Sequence, residues 1–263
     1  MLSDIHANAR ALRAALAQAR QGPCDRLVIL GDLLTYGPDV EQVLDLVADA
    51  ETNGRAAVLV GNHDQLYFDL AAGDTSYYRE LPEWLRESVD WTRERVDVAT
   101  MQSRLRWRDE LIVSDWLFAH ANPFGPRDWR YLRSAEECCA AALPLITRGL
   151  RGGVFGHVHR PRLTLISSDG SRVEEESTDA LAVAQGRLTT GTVVAVAGSI
   201  GQPRGPGPAA SMLRIRIAST GATLACEPVD YDVGAHMEAL ASMSIGETAR
   251  GELLSFFANR VRP

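Results

Sequence analysis

The sequence predicts an α/β (α+β) protein: one domain in which two β-sheets pack face to face as a sandwich, flanked by helices. Three observations carry this. Apolar run, glycine, polar residue recurs before Asp32, Asn62 and His157. Asp4, Asp32 and Asn62 lie at intervals close to the ~30 residues of a β-α-β unit. After His159 the chain turns to alternating or β-branched stretches, which asks for a second set of strands. A length of 263 residues suits one large core, and no repeat or low-complexity linker divides residues 1–263.

The elements follow in order. Met1 to Ser3 is a short lead into Asp4, against the ~5 residues of an ordinary strand, so either the natural start lies upstream or this strand is a stub. Asn8 to Arg20 has Leu12, Ala15, Leu16 and Ala19 at helical spacing and ends at Gly22-Pro23. Arg26 to Leu30 and Ala56 to Val60 are buried strands, with an amphipathic helix over Val40 to Ala50 between them. Residues 65–110 predict a mainly helical insertion (Trp84, Leu85, Val89, Trp91, Val96, Met101, Leu105) that packs its own small core; a cap over the site is the weaker reading. Leu111 to Val113 and Trp116 to Ala119 form a hairpin through Ser114-Asp115. Ser134 to Arg148 is an alanine-rich helix, and Val154-Phe155 a short strand. Strands over Leu163 to Ser167, Thr192 to Ala197, Ser211 to Ile217 and Thr223 to Pro228 come next, with turns at Asp169-Gly170 and Thr220-Gly221. Glu174 to Thr190 is polar and reads as a long loop or irregular edge. Helices over His236 to Met243 and Glu247 to Val261 close the chain.

Composition excludes several classes. Hydrophobic content of 46% and charged content of 23% are ordinary for a soluble globular protein. No apolar run approaches the ~20 residues of a membrane span, and the N-terminus shows no charged-then-apolar leader. The four cysteines contain no C-x-x-C pair, and adjacent Cys138 and Cys139 read as small packing residues on a helix, which suits the reducing cytoplasm. A net charge of −7 with no Lys/Arg run argues against stable nucleic-acid binding and against a nuclease. Attraction for a phosphate must therefore be local.

Five of the 6 histidines (His6, His63, His120, His157, His159) sit at strand ends beside Gly, Asp or Asn. With Asp4, Asp32 and Asn62 they make a candidate metal cluster; only His236 reads as a packing residue. Imidazole, carboxylate and amide oxygen without thiolate suit divalent Mn, Fe, Zn, Co or Ni. There are too many ligands for one tetrahedral ion, and Asp32 is the natural bridge between two. Paired ions about 3.5–4 Å apart clamp the attacking and leaving oxygens of an in-line displacement. Two divalent ions, two carboxylates and one hydroxide leave about +1, enough to draw an anion to an acidic protein.

Asp4-Ile5-His6, Gly31-Asp32, Gly61-Asn62-His63-Asp64, His120 and Gly156-His157-Val158-His159 resemble, in order, the five blocks of the calcineurin-like metallophosphoesterase superfamily. Asp32 to Pro38 and Gly198 to Arg204 are further similar to its small prokaryotic branch, which includes phosphodiesterases and relatives of diadenosine tetraphosphatases and protein phosphatases. The resemblance implies that Asp4, His6 and His159 hold one ion, that Asn62, His120 and His157 hold the other, and that Asp32 bridges. A hydroxide between the ions is then the nucleophile, and His63 stabilises the transition state or protonates the leaving oxygen. Asp64 orients His63 and raises its pKa; capping the following helix is a compatible role.

Three departures stand out. Ala7 replaces the usual glycine after the first histidine, and Ala121-Asn122 follows His120 where Gly-Ser or Ala-Ser is common. The stub before Asp4 is the largest departure, expected to loosen Asp4 and His6. Arg204, in a Gly/Pro-rich turn, is a candidate to fork onto a substrate phosphate. Tyr36 is a weaker substrate-binding candidate, with helix-start packing as its alternative. Trp129 and Tyr131 invite a nucleobase, with core packing as theirs. The function expected is two-metal hydrolysis of a phosphorylated small molecule or nucleotide-like substrate, as phosphodiesterase or phosphatase. The alternative is an inactive relative that serves as a binding scaffold.

Overall fold

The computed structural model describes residues 1–54, 56–167, 173–176, 191–204, 207, 209–218, 221–258 and 260. Two sheets stack with helices outside them. The first sheet is built on β1 (Leu27–Ile29) and β2 (Ala56–Leu59), parallel neighbours with Leu27 opposite Ala56. Parallel strands need a crossover, supplied by α2 (Val40–Gly54); α1 (Ala9–Arg20) precedes β1. β3 (Trp107–Arg108) extends this sheet parallel to β2, a strand the helical reading of 65–110 missed. Its two residues are too few to show a period.

On the other side of β1, Leu2 pairs with Ile29. The Leu2 amide donates to the Val28 carbonyl at 2.9 Å, and the Leu213 amide donates to the Met1 carbonyl at 3.1 Å. The hairpin of β10 (Ser211–Ala218) and β11 (Gly221–Pro228) thereby joins the same sheet. The stub does not leave Asp4 and His6 loose. Their amides donate to the carbonyls of Gly31 and Asp32 at 3.1 and 3.0 Å, and both residues are buried.

The second sheet contains β4 (Glu110–Val113), β5 (Trp116–Ala119), β6 (Gly152–Phe155), β7 (Arg162–Ser167), β8 (Val173–Glu176) and β9 (Gly191–Val196). Its order is β4-β5-β6-β9-β7-β8, with β5, β6 and β9 parallel and the flanking pairs antiparallel. The edge strand β8 falls at the start of the stretch read as a loop or irregular edge. Residues 177–190, Asp169-Gly170 and Thr220 lie outside the described residues.

Period-two alternation sorts side chains between the layers. Val28, Leu30, Trp116, Phe118, Val193 and Ala195 meet between the sheets. Their neighbours Leu117, Ala119, Val194 and Val196 face outward onto α7 (Ala135–Thr147), against Cys138, Ala141 and Leu145. α7 starts where a capping box forms: the Glu137 amide donates to Ser134 Oγ at 3.1 Å and the Ser134 amide to Glu137 Oε2 at 2.8 Å.

The insertion forms α3 (Asn62–Ala71), α4 (Ser76–Glu80), α5 (Glu83–Arg93) and α6 (Val98–Arg104). It does not pack a core of its own. Leu81, Leu85, Val89 and Met101 belong to one cluster with Leu12, Leu16 and Val43 of α1 and α2. The same cluster takes in α8 (Val233–Ala241) and α9 (Glu247–Ser255), the latter shorter than the sequence suggests. α9 is pinned to α5 where the Gly246 amide donates to Glu87 Oε2 at 2.8 Å.

Where β1 and β2 end, Gly31 and Gly61 bring two backbones together. Gly31 has φ 106, and a Cβ there would stand 2.8 Å from the Gly61 Cα. Gly31→Ala should cost about 2–4 kcal/mol from left-handed strain and overpacking. The expected signature is a fall in Tm of roughly 5–15 °C by calorimetry; an unchanged melt would contradict the close approach.

Candidate metal centre

The site forms where β1, β2, β5, β6 and β9 end, at the carboxyl edges of their parallel pairings. Asp4, His6, Asp32, His157 and His159 all have φ between 47 and 66. This left-handed region costs a non-glycine residue about 1–2 kcal/mol, and such outliers cluster at functional sites. Ala7 shares it at φ 49, so the methyl where glycine is usual is accommodated with strain and no ligand is displaced. The strained turns are tied down by hydrogen bonds. Asp64 accepts three: from the Asp32 and Gly61 amides on Oδ2 at 2.7 and 3.0 Å, and from the Leu33 amide on Oδ1 at 2.9 Å. The Asp4 carboxylate accepts from the His157 amide at 3.1 Å.

Two buried clusters result. Asp4, His6, Asp32 and His159 present ligand atoms within 4.8 Å of one another, and so do Asp32, His120 and His157. Asp32 belongs to both. Asn62 Oδ1 lies 3.1 Å from His120 Nε2, so its amide oxygen joins the second cluster.

The four imidazoles of these clusters are locked in one tautomer. His6 Nδ1 faces the Leu34 carbonyl at 3.0 Å, His120 Nδ1 that of Leu30 at 2.9 Å, and His159 Nδ1 that of Gln202 at 2.6 Å. His157 uses Nε2, 3.0 Å from the Trp129 carbonyl. Only a protonated nitrogen satisfies a carbonyl oxygen, so the other nitrogen of each ring turns into the cluster, as metal-ligating histidines do. His6 Nε2 and His159 Nε2 then oppose lone pairs 3.2 Å apart. That arrangement is repulsive unless a cation lies against both, so the donor set fits a metal.

Burial holds His6 and His157 down to about 3 and His159 well below the usual imidazole range, so these three are neutral. Burial also opposes charge on His120, but the Asp32 carboxylate 3.4 Å away prevails and raises it to about 9. Asp32 has the reverse balance: desolvation resists its ionisation, yet the charged His120 beside it holds it well below the carboxylate norm. Without a cation, a His120 proton partly neutralises Asp32.

Asn62, His63 and Asp64 follow the end of β2 and open α3, and the His63 amide donates to Asp32 Oδ1 at 2.8 Å. The Asp64 carboxylate is occupied by three backbone amides and gives the ring no hydrogen bond, so the expected Asp64–His63 pairing is corrected: Asp64 caps α3 and braces the loops. The partner of the ring is Tyr36, with its hydroxyl 3.1 Å from His63 Nε2, while Nδ1 is buried with no hydrogen-bond partner among the described residues. Burial lowers the ring to about 4. Tyr36 is buried in the core cluster; its amide donates to Ser88 Oγ at 3.0 Å and its ring lies against His6 and His63, the latter in the first turn of α3.

Arg204 reaches the site's edge, with Nη2 3.0 Å from Gln202 Oε1. Trp129 and Tyr131 serve the histidines instead of offering a free stacking face. Tyr131 stacks on His157 at 4.0 Å with the Arg133 guanidinium 3.6 Å over its ring, and Trp129 sits edge-on to His120 at 5.8 Å. His236 is buried against Phe257, away from the clusters. Sequence reasoning missed Tyr77, whose hydroxyl accepts from Asn62 Nδ2 at 3.0 Å, and the backbone carbonyls that fix the tautomers. Above the clusters opens a cleft of about 380 Å³, walled on the far side by Tyr77, Leu81, Trp84, Leu85 and Phe256.

Residues 1–161 match the family model described as calcineurin-like phosphoesterase. The chain belongs to that family. Among solved structures, this calcineurin-like phosphoesterase is similar to a metallophosphoesterase from Sphaerobacter thermophilus. The TM-score is 0.71 at 23% identity, over 97% of this chain and 98% of that one. It is also similar to a hypothetical protein of Pyrococcus horikoshii, with TM-score 0.72 at 18% identity over 96% and 95% of the two chains. At such identities the likeness establishes the fold. An uncharacterized protein of Methanocaldococcus jannaschii is 28% identical over 144 residues, 50% of this chain and 52% of that relative. The match thus spans about half of the curated relative's length. No helix among the described residues is long and apolar enough to cross a membrane.

The Asp64 bracing can be tested directly. Asp64→Asn keeps the shape but turns an amide donor toward backbone donors. Metal affinity should fall about 10–100-fold, in the range for residues that position ligands, as measured by Mn titration calorimetry, while the circular dichroism spectrum is retained. Unchanged affinity would refute the bracing role.

Proposed function

We propose that this chain hydrolyses phosphoesters with two divalent cations. Asp4, His6 and His159 serve one cation, Asn62, His120 and His157 the other, and Asp32 both. The observation that carries the reading is that, among the described residues, Asp32 alone belongs to both ligand clusters. Three neutral histidines with inward lone pairs support it, as does a donor set of nitrogen and oxygen suited to Mn, Fe, Zn, Co or Ni. When bound, such a pair supplies a nucleophilic water of lowered pKa and screens the phosphate oxygens.

The chain's own groups supply the rest. Arg204 lines the cleft and turns its guanidinium from Gln202 to a phosphate oxygen, a charge-assisted contact with forked geometry. His63, neutral in the free site, meets the negative charge of a bound phosphate; that charge favours its protonated form, which hydrogen-bonds or protonates the leaving oxygen. Tyr36 orients the ring through its hydroxyl. The substrate is a phosphorylated small molecule or a nucleotide-like one. A net charge of −7 keeps stable nucleic-acid binding out of the reading. The cytoplasm is the proposed setting, supported by the free thiols of Cys24, Cys138 and Cys139.

Chelator-treated protein should lose turnover of a generic aryl phosphodiester and regain it with Mn. Undiminished turnover in the chelated protein would refute the reading, and a metal-free site in full-length protein would favour a binding scaffold. His63→Ala should lower kcat about 10²–10⁴-fold with metal content intact, whereas Asp32→Ala should lose both metal and turnover. Elemental analysis beside steady-state kinetics separates the two variants.

A further inference from the structure

The cleft has two unlike halves. Its floor is the ligand cluster with His63 and Arg204, all polar. Its roof comes from elsewhere in the chain: Tyr77, Leu81, Trp84 and Leu85 from α4, α5 and their junction, and Phe256 at the end of α9. Hydrolysis of a bare phosphate ester gives no reason for such a roof, since the reacting atoms lie at the floor.

The rings around the cleft differ in whether their faces are already taken. Tyr131 is covered on one side by His157 and contacted by the Arg133 guanidinium over its ring. Tyr36 is committed to His6 and His63. Trp84 meets only Tyr36 among the rings of the described residues, at 6.2 Å between centroids and tilted by 33°. Phe256 has no ring partner among the described residues, and the Arg204 guanidinium is 5.9 Å from its centroid. Trp84 and Phe256 are each half-buried. Half-buried rings that line the cleft beside a polar floor suit a flat apolar group, which gains stacking and sheds water.

Charge limits what the flat group carries. Arg204 is the one arginine or lysine lining the cleft among the described residues. The Tyr77 hydroxyl is engaged by Asn62 and that of Tyr36 by His63. The roof therefore offers no cation to a second or third phosphate, and burying such charges unpaired is costly.

We infer that this roof is a subsite for one planar aromatic group, a nucleobase or an aryl ring, on a substrate bearing a single phosphate. The inference rests on the hydrolase reading above and narrows its substrate class. Trp84 and Phe256 select the substrate; they do not touch the reacting atoms.

The test uses substrate pairs that share the bond to be broken. The p-nitrophenyl ester of thymidylate is compared with methyl p-nitrophenyl phosphate, and adenylate with ribose phosphate, each with Mn-loaded full-length protein. In whichever pair is turned over, the base-bearing member should have the higher kcat/KM by about tenfold or more, the order expected of one stacked base. Trp84→Leu and Phe256→Leu keep apolar bulk and should each bring that ratio at least about fivefold closer to one. Mere structural damage would slow both members of a pair and leave the ratio alone, and either variant suffices if the other fails to fold. Adenylate should inhibit at least as strongly as adenosine diphosphate. A ratio near one in active wild-type protein, a ratio unmoved by either variant, or much tighter inhibition by the diphosphate would overturn the inference with the hydrolase reading intact. No metal-dependent turnover of any of the four substrates would remove the hydrolase reading, and this subsite with it.

Discussion

A buried carboxylate surrounded by imidazoles is the constraint on which this structure turns. Asp32 is about as deeply buried as any apolar core residue, and an isolated charge there would be prohibitive. The surroundings offset that cost in layers. His120 shares a proton with it, the His63 amide donates to it, and its own amide is held by Asp64. The left-handed backbone at Asp4, His6, Asp32, His157 and His159 follows from the same demand, because only sharply turned chains bring so many polar groups to one point. The dense packing of the two sheets makes these turns tolerable by leaving the loops few alternatives.

The sandwich also explains why the site draws on so much of the chain. β1 and β2 deliver Asp32 and Asn62 from one sheet; β5 and β6 deliver His120 and His157 from the other. The interleaved side chains between the sheets, Val28 and Leu30 against Trp116 and Phe118, hold the two sets of ligands at a fixed separation. Core packing and site geometry are one problem here. The helices outside the sheets carry a different load, since α4, α5 and α9 share a cluster with α1 and α2 and meet over the cleft.

Much of this was legible in the sequence because the relevant signals are local. Glycine after an apolar run marks a strand end, as at Gly31 and Gly61, and histidines beside aspartates at such ends mark the clusters. The illegible parts are those decided by distant partners. Asp64 sits next to His63 in sequence yet turns to Asp32, Leu33 and Gly61, because three backbone amides outcompete one imidazole. Tyr36 reaches His63 only through the fold. The pairing of β3 with β2 involves two residues and no periodicity, and the roof gathers Tyr77, Trp84 and Phe256 from segments far apart in the chain. The carbonyls of Leu30, Leu34, Trp129 and Gln202 that fix the ring tautomers leave no trace at all, since every residue has one.

Those carbonyls bear on how a protein of this kind changes over generations. Main-chain oxygens survive any point substitution that preserves the local path, so the chemistry of cation capture is buffered against mutation at Leu30, Leu34, Trp129 and Gln202. The rings over the cleft have no such protection; each is a side chain that one codon can replace. On the proposed function, drift should therefore reshape what the protein accepts sooner than it disturbs the main-chain oxygens that orient the ligand rings, and one floor can sit beneath many different ceilings.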